Sequence, residues 1–87
     1  MYNVRISKEA KNDLLKLKTM GLLTKATKLI DLLAEDPYTN PPHYESLKGD
    51  LLGFYSRRIN VKHRLVYKVD DANKVVYVYR AFTHYEY

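Results

Sequence analysis

Few side chains in this sequence could carry a covalent step, and elimination narrows them further. The chain has no cysteine, which removes thiol nucleophiles and zinc–thiolate centres. With three glycines it holds no P-loop and no G-x-G-x-x-G. Two-metal phosphoryl transfer needs carboxylates converging on the ions. The adjacent pair Asp70-Asp71 reads instead as a hairpin turn. The histidines His43, His63 and His84 lack metal-ligand spacing. No metal and no cofactor are expected.

Metal-free cleavage of RNA survives this filter, and its needs are specific. A base takes the proton of a ribose 2′-OH, the oxygen attacks the adjacent phosphorus, an acid protonates the departing 5′-oxygen, and cations hold the added negative charge. Glu45, in the stretch PPHYESLKGD, is a candidate base. Arg64, with Lys48, Arg57 and Arg58, offers positive charge. His84 lies just past the last expected strand, with a near-neutral intrinsic pKa suited to acid work. Tyr85 beside it could stack on a base. Each has a plainer reading: a solvated loop glutamate, an idle terminal histidine, a tyrosine that fills an amphipathic strand.

Charge placement bears on the choice. Fifteen Lys and Arg against ten Asp and Glu leave +5. From Leu51 to Val69 there is no acidic residue, yet Arg57, Arg58, Lys62, Arg64 and Lys68 lie there. A one-signed segment attracts polyanions, nucleic acid or an acidic protein; a solvated basic face is the plain alternative.

The elements that must position these groups follow from periodicity. Eighty-seven residues suit one domain spanning the chain. Met1 to Ile6 alternate as a first strand, with Tyr2, Val4 and Ile6 on one face. Ser7 can cap a helix whose stripe is Ala10, Leu14 and Leu17, and Gly21 ends it. A second helix, about Leu23 to Glu35, has the stripe Ala26, Leu29, Ile30 and Leu33 and stops at Asp36-Pro37. Asn40 to His43 is an extended loop. Phe54 to Asn60, Arg64 to Val69 and Val75 to Arg80 are strands, with turns at Asn60–His63 and Asp70–Asn73. The expected fold is α+β, in the order β-α-α-β-β-β. A helical hairpin covers one face of a mainly antiparallel sheet and the other face is open. Leu65, Tyr67 and Val69 should meet the helices, and Arg64, Val66 and Lys68 should face away. No apolar run approaches the roughly 20 residues of a membrane span, and MYNVRISKEAK has no signal-peptide core. A cytoplasmic protein is expected.

These residues also form a recognisable pattern. The segment YESLKGDLLGFYSRRINVKHRLVYKVDDANKVV, with RAFTHYEY at the end, resembles the Txe/YoeB toxins of the RelE/ParE superfamily. The E-x-L-x-x-x-L-x-G-x-x-S-R-R-I core falls on Glu45, Leu47, Leu51, Gly53, Ser56, Arg57, Arg58 and Ile59. H-R-L-V-Y is His63 to Tyr67, and the terminal H-Y is His84-Tyr85. The resemblance implies a compact fold like that of microbial ribonucleases. It also implies a ribosome-dependent endoribonuclease that cuts messenger in the decoding site without metal.

By the same resemblance, Glu45 is the base, His84 the acid, Arg64 the phosphate stabiliser and Tyr85 a substrate-positioning residue. Lys48, Arg57 and Arg58 become phosphate or ribosomal-RNA contacts, with Lys62 and His63 in the same basic stretch. The implied partners are the ribosome and mRNA, a Phd/YefM-type antitoxin, operator DNA only in complex with that antitoxin, and a second copy in a homodimer. Where such toxins end at H-Y, this chain continues with Glu86 and Tyr87. Two rivals share the expected fold: a ParE-like toxin acting on DNA gyrase, and a nuclease-dead module that binds RNA, or DNA with an antitoxin.

Overall fold

The structure, a computed structural model, describes residues 1–82. Both helices form where their apolar stripes predict. Helix α1 spans Lys8–Thr19, and Ser7 caps it by accepting from the Ala10 N–H at 3.0 Å. The same hydroxyl donates to the Tyr79 carbonyl at 2.8 Å, which ties the helix start to the sheet. At its other end Gly21 takes φ 72°. The N–H groups of Gly21 and Leu22 return to the carbonyls of Lys18 and Leu17, closing the last turn as a Schellman motif. Helix α2, Leu23–Glu35, follows at once and ends at Asp36.

Five strands make one sheet in the order β1-β5-β4-β3-β2. They are β1 Asn3–Ile6, β2 Glu45–Ser46, β3 Tyr55–Arg58, β4 Arg64–Asp70 and β5 Val75–Arg80. Only β1 with β5 is parallel. The expected β-α-α-β-β-β order thus gains one strand, because Glu45 lies in β2 and not in a loop. Two residues are too few for alternation to register. Ala10, Leu17, Ala26 and Leu33 from the helices meet Leu65, Tyr67, Val76 and Val78 from the sheet, and Val69 packs against them.

The opposite face is less open than alternation suggests. Ser56, Arg64 and Val66 are all buried there. A bulge in β5 pairs Tyr67 with Val78 but Val66 with Arg80, so Tyr79 is the extra residue. The Phe54 and Tyr79 rings, 5.3 Å apart, meet across the intervening strand and close over β4.

Two buried charges hold the irregular parts. Asp13 falls on the buried stripe of α1. It accepts from Arg80 Nε at 2.8 Å, Arg80 Nη2 at 3.2 Å and the Ala81 N–H at 3.0 Å. Arg57 is 1% exposed. Its guanidinium donates to the carbonyls of Pro37, Thr39 and Pro42 and to the Tyr67 hydroxyl, and it lies 4.7 Å from the Tyr44 ring centroid. The Tyr67 hydroxyl in turn donates to the Pro37 carbonyl at 3.1 Å, and burial pushes its pKa up to about 12. The loop that periodicity leaves structureless is therefore pinned from beneath by one arginine.

Both charges have measurable consequences. Burial raises the Asp13 carboxyl, but the bonds from Arg80 and the Ala81 N–H outweigh it and hold the pKa below the ordinary value. A depressed folded-state pKa adds stability that is complete above the unfolded value of about 3.9 and is lost as pH falls through the folded one. Urea unfolding should therefore show stability falling below about pH 4. Asp13→Asn should flatten that slope and cost about 2 kcal/mol near neutrality; an unchanged slope would refute the assignment. Arg57→Met leaves the Thr39 and Pro42 carbonyls and the Tyr67 hydroxyl oxygen without their donor and should cost about 3 kcal/mol or more in the same assay. Arg57→Lys should recover little, since an ammonium lacks the planar fork that reaches separate carbonyls.

Candidate active site on the sheet face opposite the helices

Strand register gathers the candidate groups. Glu45 pairs with Ser56, Ser56 with Val66, and Arg58 with Arg64. Directly paired residues share a face, so Glu45 and Arg64 sit on the same side, away from the helices. Their backbones are separated by about 10 Å across two strand spacings and about 7 Å along the strand. That leaves room for one phosphodiester between the two side chains.

Glu45 owes its place to β2, the edge strand that follows the loop held by Arg57. Its side chain is 41% exposed, with His43 Nε2 at 3.6 Å from a carboxylate oxygen. Arg64 opens β4 and is 8% exposed. Its Nε and the Ser56 hydroxyl are both buried without a hydrogen-bond partner among the described residues. A guanidinium with a donor left unmet by the protein is chemically suited to an anion.

The other candidates divide. Lys48, Arg58 and Lys62 are exposed; Lys48 precedes a short 3₁₀ turn, Gly49–Leu51, and Lys62 lies in the β3–β4 turn. Arg57 belongs to the helix side of the sheet, and its donors are engaged with loop carbonyls rather than turned to solvent. His63 is buried too. Its Nδ1 donates to the Phe82 carbonyl, and its ring stacks on Phe82 with centroids 4.3 Å apart. These two side chains hold backbone in place.

That stacking matters because of where it leads. Arg80 and Ala81 are fixed by Asp13, and Phe82 lies between His63 and the Lys16 ammonium, which is 5.2 Å from its ring centroid. The chain is thus delivered against His63, the neighbour of Arg64. His84 and Tyr85 lie outside the described residues. Sequence reasoning missed Asp13 and Ser56 as parts of this arrangement. Asp13 was visible only as an acid among the apolar positions of α1, and Ser56 only as one letter of the S-R-R-I motif. Among the described residues no cluster of three or more His, Asp or Glu side chains could hold a metal ion.

Comparison with known proteins places this geometry. The profile of the "YoeB-like toxin of bacterial type II toxin-antitoxin system" family matches residues 6–85. A Synechocystis protein named Toxin YoeB is 42% identical over 75% of this chain and 69% of its own length. A Streptomyces coelicolor Toxin YoeB is 46% identical over 60% of this chain and 62% of its own, so the chain spans under two thirds of that relative. A solved "YoeB/ParE toxin" from Agrobacterium tumefaciens superposes with a TM-score of 0.84 at 27% identity, over 95% of this chain and 99% of that one. A YoeB dimer from Staphylococcus aureus gives 0.80 at 31% identity, over 97% and 98%. The chain belongs to the family of YoeB-like toxins of bacterial type II toxin–antitoxin systems.

Proposed function

We propose that this toxin is a ribosome-dependent, metal-free endoribonuclease that cuts mRNA in the decoding site. One observation carries the reading: Glu45 and Arg64 share a sheet face, and the chain leading to His84 is anchored at Phe82 against the neighbour of Arg64. His84 follows Phe82 by two residues, a span of at most about 7 Å, which supports the reading that it serves the same phosphate.

The chemistry follows from those positions. Glu45 takes the proton of the 2′-OH. The freed oxygen attacks the adjacent phosphorus, and the P–O5′ bond breaks. His84 gives its proton to the departing 5′-oxygen, which leaves a 2′,3′-cyclic phosphate and a 5′-hydroxyl. Arg64 holds the charge that builds on the phosphoryl oxygens, and Tyr85 stacks on a base to fix the attacking geometry. Lys48, Arg58 and Lys62 are exposed cations that contact flanking phosphates or ribosomal RNA. Arg57 and His63 act one step back, on the backbone that carries Glu45 and the C-terminal segment.

Solved complexes of Staphylococcus aureus YoeB with YefM support a Phd/YefM-type antitoxin as the neutralising partner; binding of operator DNA only by such a complex is part of the same proposal. The dimer from the same organism supports a homodimer. The site of action is the cytoplasm, where translating ribosomes are.

Cleavage of messenger on programmed ribosomes tests this, with a chelator level that leaves the ribosomes intact. The unmodified protein should cut at the decoding site. Glu45→Ala and His84→Ala should each lose roughly 10²–10⁴ in rate, and Arg64→Ala about 10²-fold. Removal of residues 84–87 should abolish cutting and leave a folded domain. Cutting that persists in the truncated protein would sink the roles given to His84 and Tyr85. No cutting by the unmodified protein, with ribosome binding intact, would establish a binding module. Loss of ribosome binding as well would turn attention to gyrase.

A further inference from the structure

The sheet face that carries Glu45 and Arg64 does not end at them. Toward β5 and β1 it opens into a cleft of about 790 Å³, lined chiefly by Arg5, Phe54, Lys68, Tyr77 and Tyr79. Lys68 pairs with Tyr77, and Tyr77 with Arg5, so these three cross the sheet in one row. The Lys68 ammonium lies 5.7 Å from the Phe54 ring centroid and 5.5 Å from that of Tyr77. Tyr77 and Tyr79 are 38% and 41% exposed.

The cleft lining carries both signs, Arg5 and Lys68 with Asp70 and Asp71. Among the described residues neither Arg5 nor Lys68 forms an ion pair. Asp71 accepts from the hydroxyls of Tyr2 and Tyr38 and Asp70 from Asn73, so both carboxylates are held at the β4–β5 turn, at one end of the lining. Two free cations interleaved with accessible aromatic rings are the chemistry that holds unpaired bases and their phosphates. Geometry gives a direction as well. β2 is the edge of the sheet, so the face extends from Glu45 only toward β5 and β1. A strand held at Glu45 and Arg64 that follows this face across the sheet enters the cleft.

We propose that this cleft is a single-stranded RNA subsite for nucleotides flanking the cleaved phosphodiester. Bases stack on Tyr77 and Tyr79, and phosphates face Arg5 and Lys68. The inference rests on the ribonuclease reading above and adds where the substrate goes once it leaves the reacting bond.

The test is equilibrium binding of the full chain to labelled RNA, made non-cleavable by a 2′-deoxy residue at the cut position, in lengths of three and nine nucleotides. Tyr77→Ala with Tyr79→Ala should weaken binding of the longer RNA about tenfold or more and leave the shorter unchanged. Tyr77→Phe with Tyr79→Phe, which keep the stacking faces, should restore it. Arg5→Gln with Lys68→Met should flatten the salt dependence for the longer RNA by about one to two phosphate contacts. Since the aromatic variants could disturb folding through Phe54, the cation pair stands as an independent arm.

Equal affinity of all variants for both lengths would overturn the subsite. So would variants that lose capture of a YefM-type antitoxin yet keep RNA binding, which would make the cleft a protein surface. Cleavage on programmed ribosomes by the unmodified protein separates the two failures. If it cuts while the variants bind the longer RNA normally, only the subsite falls. If it neither cuts nor binds RNA, both readings fall.

Discussion

The arrangement depends on one buried guanidinium. Among the described residues Arg57 has no carboxylate partner, and a charge taken from water is costly unless its donors are met. Here backbone carbonyls from Pro37, Thr39 and Pro42, the Tyr67 hydroxyl and the face of Tyr44 meet them. Those carbonyls belong to a loop with no ladder of its own, so the arginine and the loop satisfy each other. The loop ends at β2, two residues that add an edge to the sheet and carry Glu45. Without the arginine, the polar groups of that loop would favour water, and the edge strand would lose its lead-in.

A second charge does the corresponding job at the other end of the chain. Asp13 projects from α1 into the core and binds both the Arg80 side chain and the Ala81 backbone. The last strand is thereby held past its final ladder bond, and His63 takes over at Phe82. Base and acid are thus proposed to come from the two least regular parts of the fold, an edge and a terminus. Local stability is lowest in such places. Each is tied by a buried ionic or hydrogen-bonded group to the part of the sheet where packing is densest. Such ties let a chain of 87 residues, with a modest core, fix an edge strand and the end of β5 to the same sheet.

Much of this was legible in the sequence. The helix limits, the stripes and the set Leu65, Tyr67 and Val69 followed from periods of 3.6 and 2, because packing against a single core leaves that signature. The strand β2 was not legible, since two residues carry no period. Arg57 was misread for a related reason. In the run Ser56-Arg57-Arg58, composition counts two cations alike, while the pleat sends Arg57 toward the helices and pairs Arg58 with Arg64. His63 followed the same course: a histidine in a basic stretch reads as a phosphate contact until its stacking on Phe82 is seen. Asp13 is the reverse case. An acid at a buried helical position contradicts the pattern, and such contradictions mark places where a structure depends on a specific partner.

The same logic distinguishes Arg57 from Arg64, two arginines of one basic stretch. A phosphate-binding arginine must keep donors unmet until its substrate arrives, whereas a structural one must have them met from the start. Arg57 satisfies the second condition and Arg64, whose Nε is buried without a partner among the described residues, the first. Burial alone does not distinguish them, since both are buried. What distinguishes them is the supply of acceptors: Arg57 meets the carbonyls of Pro37, Thr39 and Pro42, whereas the Arg64 Nε meets none among the described residues. A guanidinium left with an unmet donor favours an anion, and that is the electrostatic condition the phosphate-stabilising role proposed for Arg64 requires.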